Sequence, residues 1–170
     1  MELTLEDIDK SGELLLHHAA TPIFVAEMHG KLLDKLLPKL ISYYRRLPAD
    51  QRLVTDDFVE RYTVLVTRCL QLADDRMLLE QFSQRFNHAS DVVEKQGLLA
   101  DVQNTLKRRW GIVVQVLLDE KSIVEATANG IEAIYQEGGD ITASELKMIK
   151  NLPATMQGVG IKMSKIIDSF

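Results

Sequence analysis

The sequence predicts an all-α fold, an irregular bundle of seven or eight helices in a single domain spanning residues 1–170. Apolar residues recur at intervals of three and four almost throughout the chain, rather than at the interval of two that is typical of strands. Residues that can cap helices stand where such helices would begin. A chain of 170 residues can also bury the core of one domain without disulfides or metal ions.

Each expected helix start is marked by a side chain that can accept a hydrogen bond from the first turn. These side chains belong to Thr4, Thr21, Thr55, the pairs Asp74-Asp75 and Ser90-Asp91, and Thr142, and another helix is expected to begin at about Ser122. Thr142 and Glu145 have the spacing of a T-x-x-E capping box, and Gly138-Gly139 mark the end of the helix before it. The sequence therefore predicts where most helices begin.

Prolines are expected to interrupt the helical pattern. Pro22 fits the first position of a second helix, after a first helix that ends near His18. Pro38 predicts a kink or break near residues 36 and 37, and Pro153 is expected to separate the seventh helix from the last. The reason is that a proline inside a helix removes a hydrogen bond and clashes with the preceding turn.

Composition argues against several function classes. The chain has 25 acidic and 20 basic residues and a formal charge of -5, so the bulk attraction that drives nonspecific nucleic-acid binding is missing. Cys69 is the only cysteine, which excludes an internal disulfide, and its apolar neighbours at helical spacing predict a buried, unreactive thiol. No apolar run approaches the roughly 20 residues of a membrane span, and the acidic start differs from a signal peptide. The sequence predicts a cytoplasmic protein.

Motifs for cofactors and catalysis are missing from the sequence. It contains neither of the glycine-rich nucleotide-binding patterns nor the G-x-S-x-G pattern of serine hydrolases. A di-iron bundle would require Glu-x-x-His motifs, which the chain lacks, and His17 and His18 are expected at the C-terminus of the first helix instead. We therefore predict no cofactor, no bound metal and no catalytic residue, with a metal-binding bundle as an alternative.

The segment KLLDKLLPKLISYYRR at 31–46 predicts a helix with one basic side. This basic stripe comprises Lys31, Lys35, Lys39, Arg45, Arg46 and, after the helix, Arg52. Basic amphipathic helices contact anionic partners, membrane surfaces or nucleic acids. The other interpretation is an ordinary solvated face, neutralised by Asp56, Asp57 and Glu60 of the next helix.

A second candidate surface lies at the end of the chain. Its apolar side chains follow a 3-4-3-4 spacing and form what we call the C-terminal seam: Met156, Val159, Met163, Ile166 and Phe170. Such a seam either completes the core of its own chain or pairs with another chain, so a homo-oligomer is possible. In a second basic cluster, LKRRWG at 106–111, Leu106 and Trp110 share the buried face and Lys107 and Arg109 flank it.

The predicted function is a non-enzymatic helical protein–protein interaction or regulatory module that uses the basic stripe, the C-terminal seam or both. A protein partner is expected. Nucleic-acid binding through the patch at 31–52 is the first alternative, and the metal-binding bundle is the second.

Overall fold

The computed structural model describes residues 4–48 and 56–170. Within them the chain forms five α-helices and no strand: α1 (Leu5–Arg45), α2 (Asp56–His88), α3 (Val92–Asp119), α4 (Lys121–Gln136) and α5 (Ala143–Asp168). The predicted all-α class is confirmed. The predicted number of seven or eight helices is wrong, because four expected interruptions lie inside continuous helices. The expected cap at Thr55 lies outside the described residues.

Two prolines lie inside α1, which continues for 41 residues from its capping box at Thr4. An interior proline costs a helix about 3 kcal/mol. Tertiary packing offsets this cost, because α1 carries an unbroken stripe of buried side chains, each contributing about 1.5–3 kcal/mol when it is a large aliphatic group. The stripe includes Ile8, Leu15, Ile23, Leu33, Leu36 and Leu40. His17 and His18 therefore lie inside α1, and the prediction that they stand at the C-terminus of a first helix is wrong.

The other two expected interruptions, at Asp75 and Pro153, are also absent, because the residues there pack into the core. Asp75 does not open a helix: it lies in the middle of α2 and is only 1% exposed. Pro153 lies inside α5, where the adjacent Leu152 and the nearby Met156 are buried in the core. Sequence-local signals for a helix boundary are thus overridden wherever the apolar stripe continues past them.

Contacts between α1 and α2 show that the two helices are antiparallel. A Cβ atom built on Gly12 would meet the ring of Phe86, and one built on Gly30 would meet the Cβ of Cys69. Farther along, the Tyr62 hydroxyl donates to the carbonyl of Leu33 at 2.5 Å. Residue numbers rise along α1 as they fall along α2.

The remaining helices complete the bundle around one core. Trp110 of α3 binds Asp75 of α2, and Gly160 of α5 lies against Leu118 of α3. The shorter α4 packs beside α5 and the last turns of α1, where Gly130 leaves room for Leu40 and Tyr44. The core contains the largest fully buried side chains, including Trp110, Tyr62, Ile23, Leu33, Leu65, Leu106 and Ile149.

Several local predictions are confirmed. Cys69 is fully buried, and Leu106 and Trp110 lie on the buried side of α3. Thr142 and Glu145 form both hydrogen bonds of the predicted capping box. Gly138, with a φ of +80°, provides the left-handed residue that ends α4. As far as the described residues go, none of the helices combines the length and the apolar character that a membrane crossing requires.

Candidate interaction surfaces

Two lysines of the basic stripe attach α1 to the start of α5. Lys35 Nζ lies 2.9 Å from the carboxylate of Glu145, and Lys39 Nζ donates to the carbonyl of Asp140 at 2.5 Å. The backbone N–H of Thr142 and the ammonium of Lys35 lower the pKa of Glu145 to about 2, because both stabilise its ionised form. These lysines therefore have carboxylate partners on α5 and the turn before it.

The arginines of the basic stripe differ in their surroundings. Arg46 ends α1 with its guanidinium 5.6 Å from the centre of the Tyr43 ring, in a cation–π contact. Arg45 is exposed on the last turn of α1. Arg52 lies outside the described residues. The structure thus brings five of the six predicted residues onto one helix and its C-cap.

The third lysine of the stripe belongs to a cluster of charges between α1 and α2. Glu27 is 6% exposed, and its two oxygens lie 3.0 and 3.3 Å from the guanidinium nitrogens of Arg76. Lys31 Nζ lies 3.1 Å from the same carboxylate. Because the side chains of Lys31 and Arg76 remain 68% and 52% exposed, two surface cations share one buried anion. The cluster therefore presents a net positive charge to solvent.

The C-terminal seam divides into a buried part and a surface part. Met156, Val159 and Met163 belong to the hydrophobic core of their own chain. Ile166 and Phe170 are half-buried and line a surface pocket of about 360 Å³ between α1, α3 and the end of α5. The first three residues of the seam are therefore already packed within the monomer.

Asp75 forms a buried polar contact between α2 and α3. Its carboxylate accepts a hydrogen bond from the indole N–H of Trp110 at 2.9 Å and lies 2.5 Å from Nε of Arg109. Burial raises the pKa of Asp75, and the guanidinium of Arg109 partly opposes this shift. The contact joins the two helices and satisfies the buried indole, so it has a structural explanation that requires no ligand.

Groups that could hold a metal ion are dispersed. Among residues 4–48 and 57–170, no three His, Cys, Asp or Glu side chains come together in a suitable cluster. His17 and His18 are exposed, and His29 is buried with Nδ1 2.8 Å from the carbonyl of Val25. The described part of the chain thus supplies no ligand set for the metal-binding alternative.

An apolar groove between α1 and α2 is a surface that sequence reasoning missed. We call it the Phe24 groove; its volume is about 440 Å³, and its lining residues are Leu16, Ala20, Ile23, Phe24, Arg76, Leu79, Glu80 and Ser83. Phe24 is 61% exposed, and Met28, one turn farther along α1, is 39% exposed. Burying an exposed ring of this size would contribute about 1.5–3 kcal/mol to association. The groove therefore combines a concave shape with unburied apolar surface.

The sequence does contain a signal for this groove. Residues 22–26, PIFVA, are five successive apolar residues within a helix. Successive helical residues are about 100° apart, so five of them extend around the whole helix and at least one must point away from the core. Phe24 is that residue. No protein-family model, curated protein or solved structure was found to match the chain.

Proposed function

We propose that this protein is a non-enzymatic protein–protein interaction module and that an amphipathic helix of a protein partner docks in the Phe24 groove. The exposure of Phe24 is the observation that carries this proposal. Large apolar side chains exposed in a concave apolar setting are typical of binding surfaces. A groove between two antiparallel helices can accommodate a third helix, which is a common mode of peptide recognition.

The charges beside the groove support a helical partner with a defined pattern. Arg76 and Glu80 both line the groove and are one helical turn apart on α2. Arg76 carries the excess positive charge that it shares with Lys31, and Glu80 is exposed. A docking helix would match them with an acidic side chain beside Arg76 and a basic side chain beside Glu80, next to its apolar face.

The same observations give less support to nucleic-acid binding. Lys31, Lys35 and Lys39 each lie within 3.5 Å of a carboxylate of their own chain, and the formal charge of the protein is -5. Phosphate binding would have to compete with these ion pairs. Docking in the Phe24 groove depends mainly on apolar contact, and of the two charged residues that line the groove only Arg76 is paired within the described part of its own chain.

Photo-crosslinking tests the proposal at the groove itself. A photoreactive phenylalanine analogue replaces Phe24 in cells that produce the protein, and the same analogue at Val93 serves as the control. Val93 is apolar, 72% exposed and located on α3, outside the groove. We expect the analogue at position 24 to form a covalent adduct with a helical segment of a partner protein, and we expect no adduct at position 93. Equal crosslinking at both positions, or none at position 24, would overturn the proposal.

A further inference from the structure

We infer that the helix that docks in the Phe24 groove is α2 of a second copy of this chain, so that the protein forms a two-fold symmetric dimer. The inference rests on the proposed function, since it names the partner for the same groove. It is carried by the charge pattern along α2 and by the apolar residues exposed beside it.

The charge pattern of the groove is complementary to itself. Glu80 has no hydrogen-bond or ion-pair partner among the described residues, whereas Arg76 and Lys31 share the single carboxylate of Glu27. The unpaired negative charge and the excess positive charge are one turn apart, about 6 Å along the axis of α2. In a two-fold dimer, if residue i contacts residue j of the other copy, j also contacts i. Antiparallel α2 helices would therefore place each Arg76 beside Glu80 of the other copy, forming two equivalent ion pairs.

The exposed apolar residues fit the same arrangement. Phe24 and Met28 lie on α1, while Met77, which follows Arg76 on α2, is 58% exposed. In the symmetric dimer each copy supplies both a groove and the helix that fills it. Phe24 of one copy can then pack against α2 of the other, near the exposed Met77, and the contact occurs twice.

The proposed pairing also fixes the extent of the contact. With Arg76 opposite Glu80 the two-fold axis passes near residue 78, so the two α2 helices overlap over residues 68–88, about 30 Å. Two adjacent helices are about 20 Å wide, so the overlapping face offers about 600 Å², compared with the roughly 800 Å² per partner that a typical specific interface buries. The expected dimer is therefore a reversible one with a small interface.

Sedimentation of the full-length protein over a range of concentrations tests the inference. We expect a dimer, and we expect Glu80→Arg to weaken the dissociation constant by roughly 100-fold because two attractive contacts become repulsive. Glu60→Arg is the matched control: Glu60 is also exposed on α2, about 30 Å away along the helix. The control should remain a dimer, and thermal melts should show that both variants are folded. Monomeric wild-type protein, or equal effects of the two variants, would overturn the inference.

A mixing experiment tests the predicted pairing of charges. The Arg76→Glu chain and the Glu80→Arg chain should each be monomeric, yet they should form a heterodimer when mixed, because opposite charges then meet at both contacts. Failure of two folded chains to associate would overturn the antiparallel pairing. If Arg76→Glu does not fold, because it places a second carboxylate beside Glu27, the comparison of Glu80→Arg with Glu60→Arg still decides the question.

The crosslink at position 24 separates this inference from the proposed function. An adduct with α2 of a second copy, recognised because it doubles the mass of the chain, supports both, whereas a crosslink to α2 within one chain supports neither. An adduct with a different protein, together with a monomer in sedimentation, supports the proposed function and overturns self-association. The absence of any adduct together with a monomer overturns both.

Discussion

The substitution Gly30→Ala tests the close approach of α1 and α2. A Cβ atom at position 30 would lie 2.8 Å from the Cβ of Cys69, whereas ordinary Cβ contacts begin at 3.4 Å. Each of these carbon atoms is fixed to its own backbone, so no side-chain rotation can relieve the overlap. The helices would have to separate locally by about 0.6 Å.

The expected magnitude follows from two opposing effects. Overpacking a dense core costs about 1–3 kcal/mol, and alanine recovers about 1 kcal/mol relative to glycine through its higher helix propensity. Gly30→Ala should therefore lower the free energy of unfolding by up to about 2 kcal/mol. Gly97→Ala is the control, because Gly97 lies inside α3 with no atom within 4 Å of the added carbon. It should raise the free energy of unfolding by about 0.5–1 kcal/mol.

Urea unfolding followed by circular dichroism measures both variants. Combining Gly30→Ala with Cys69→Ala should not restore stability, because alanine at position 69 keeps the Cβ atom that causes the overlap. Gly30→Ala as stable as Gly97→Ala would refute the reasoning. Recovery of stability in the double variant would show that the thiol, and not the Cβ, limits the approach of the helices.

Two further predictions concern groups with shifted pKa values. The pKa of Glu145 is lowered to about 2, first by the backbone of Thr142 and then by Lys35, so its contribution to stability is present above its ordinary pKa of 4.5 and is lost as the pH falls toward 2. Glu145→Gln should therefore flatten the decline of the melting temperature over this range. Burial raises the pKa of the Cys69 thiol to about 12, so a thiol reagent at neutral pH should modify Cys69 only when the protein unfolds.

Each of these predictions has a clear contrary result. If Glu145→Gln loses stability with acid as steeply as the wild type, the carboxylate of Glu145 does not supply the pH dependence. If Cys69 reacts at the rate of a free thiol in the native protein, its environment between α1 and α2 is open to solvent. Mass spectrometry of the labelled protein identifies the modified residue in that case.

Most of the helices could be predicted from the capping residues and the apolar periodicity of the sequence. Thr4, Asp91 and Thr142 cap the helices that follow them, as expected. The expected boundaries at Pro22 and Asp75 are not observed because a local signal worth a few kcal/mol competes with packing that depends on the whole bundle. Such packing cannot be read from a short stretch of sequence.

The candidate sites were less predictable than the helices. The spacing of Lys31, Lys35 and Lys39 correctly indicates a common helix, but the partners of Lys35 and Lys39, which are Glu145 and Asp140, are about a hundred residues away in the chain. Long-range ion pairs leave no periodic signal in the sequence. Phe24 is different, because it is the middle one of five successive apolar residues. Such a run implies that at least one apolar side chain of this helix points away from the core.

Trp110 makes the contact between α2 and α3 directly observable. It is the only tryptophan in the chain, it is fully buried, and its indole N–H donates to Asp75. Its fluorescence therefore reports on one interhelical contact, whereas circular dichroism reports on all five helices together. If the two signals change at the same urea concentration, the bundle unfolds as one cooperative unit. If the fluorescence changes first, α3 separates from α2 while the remaining helices persist.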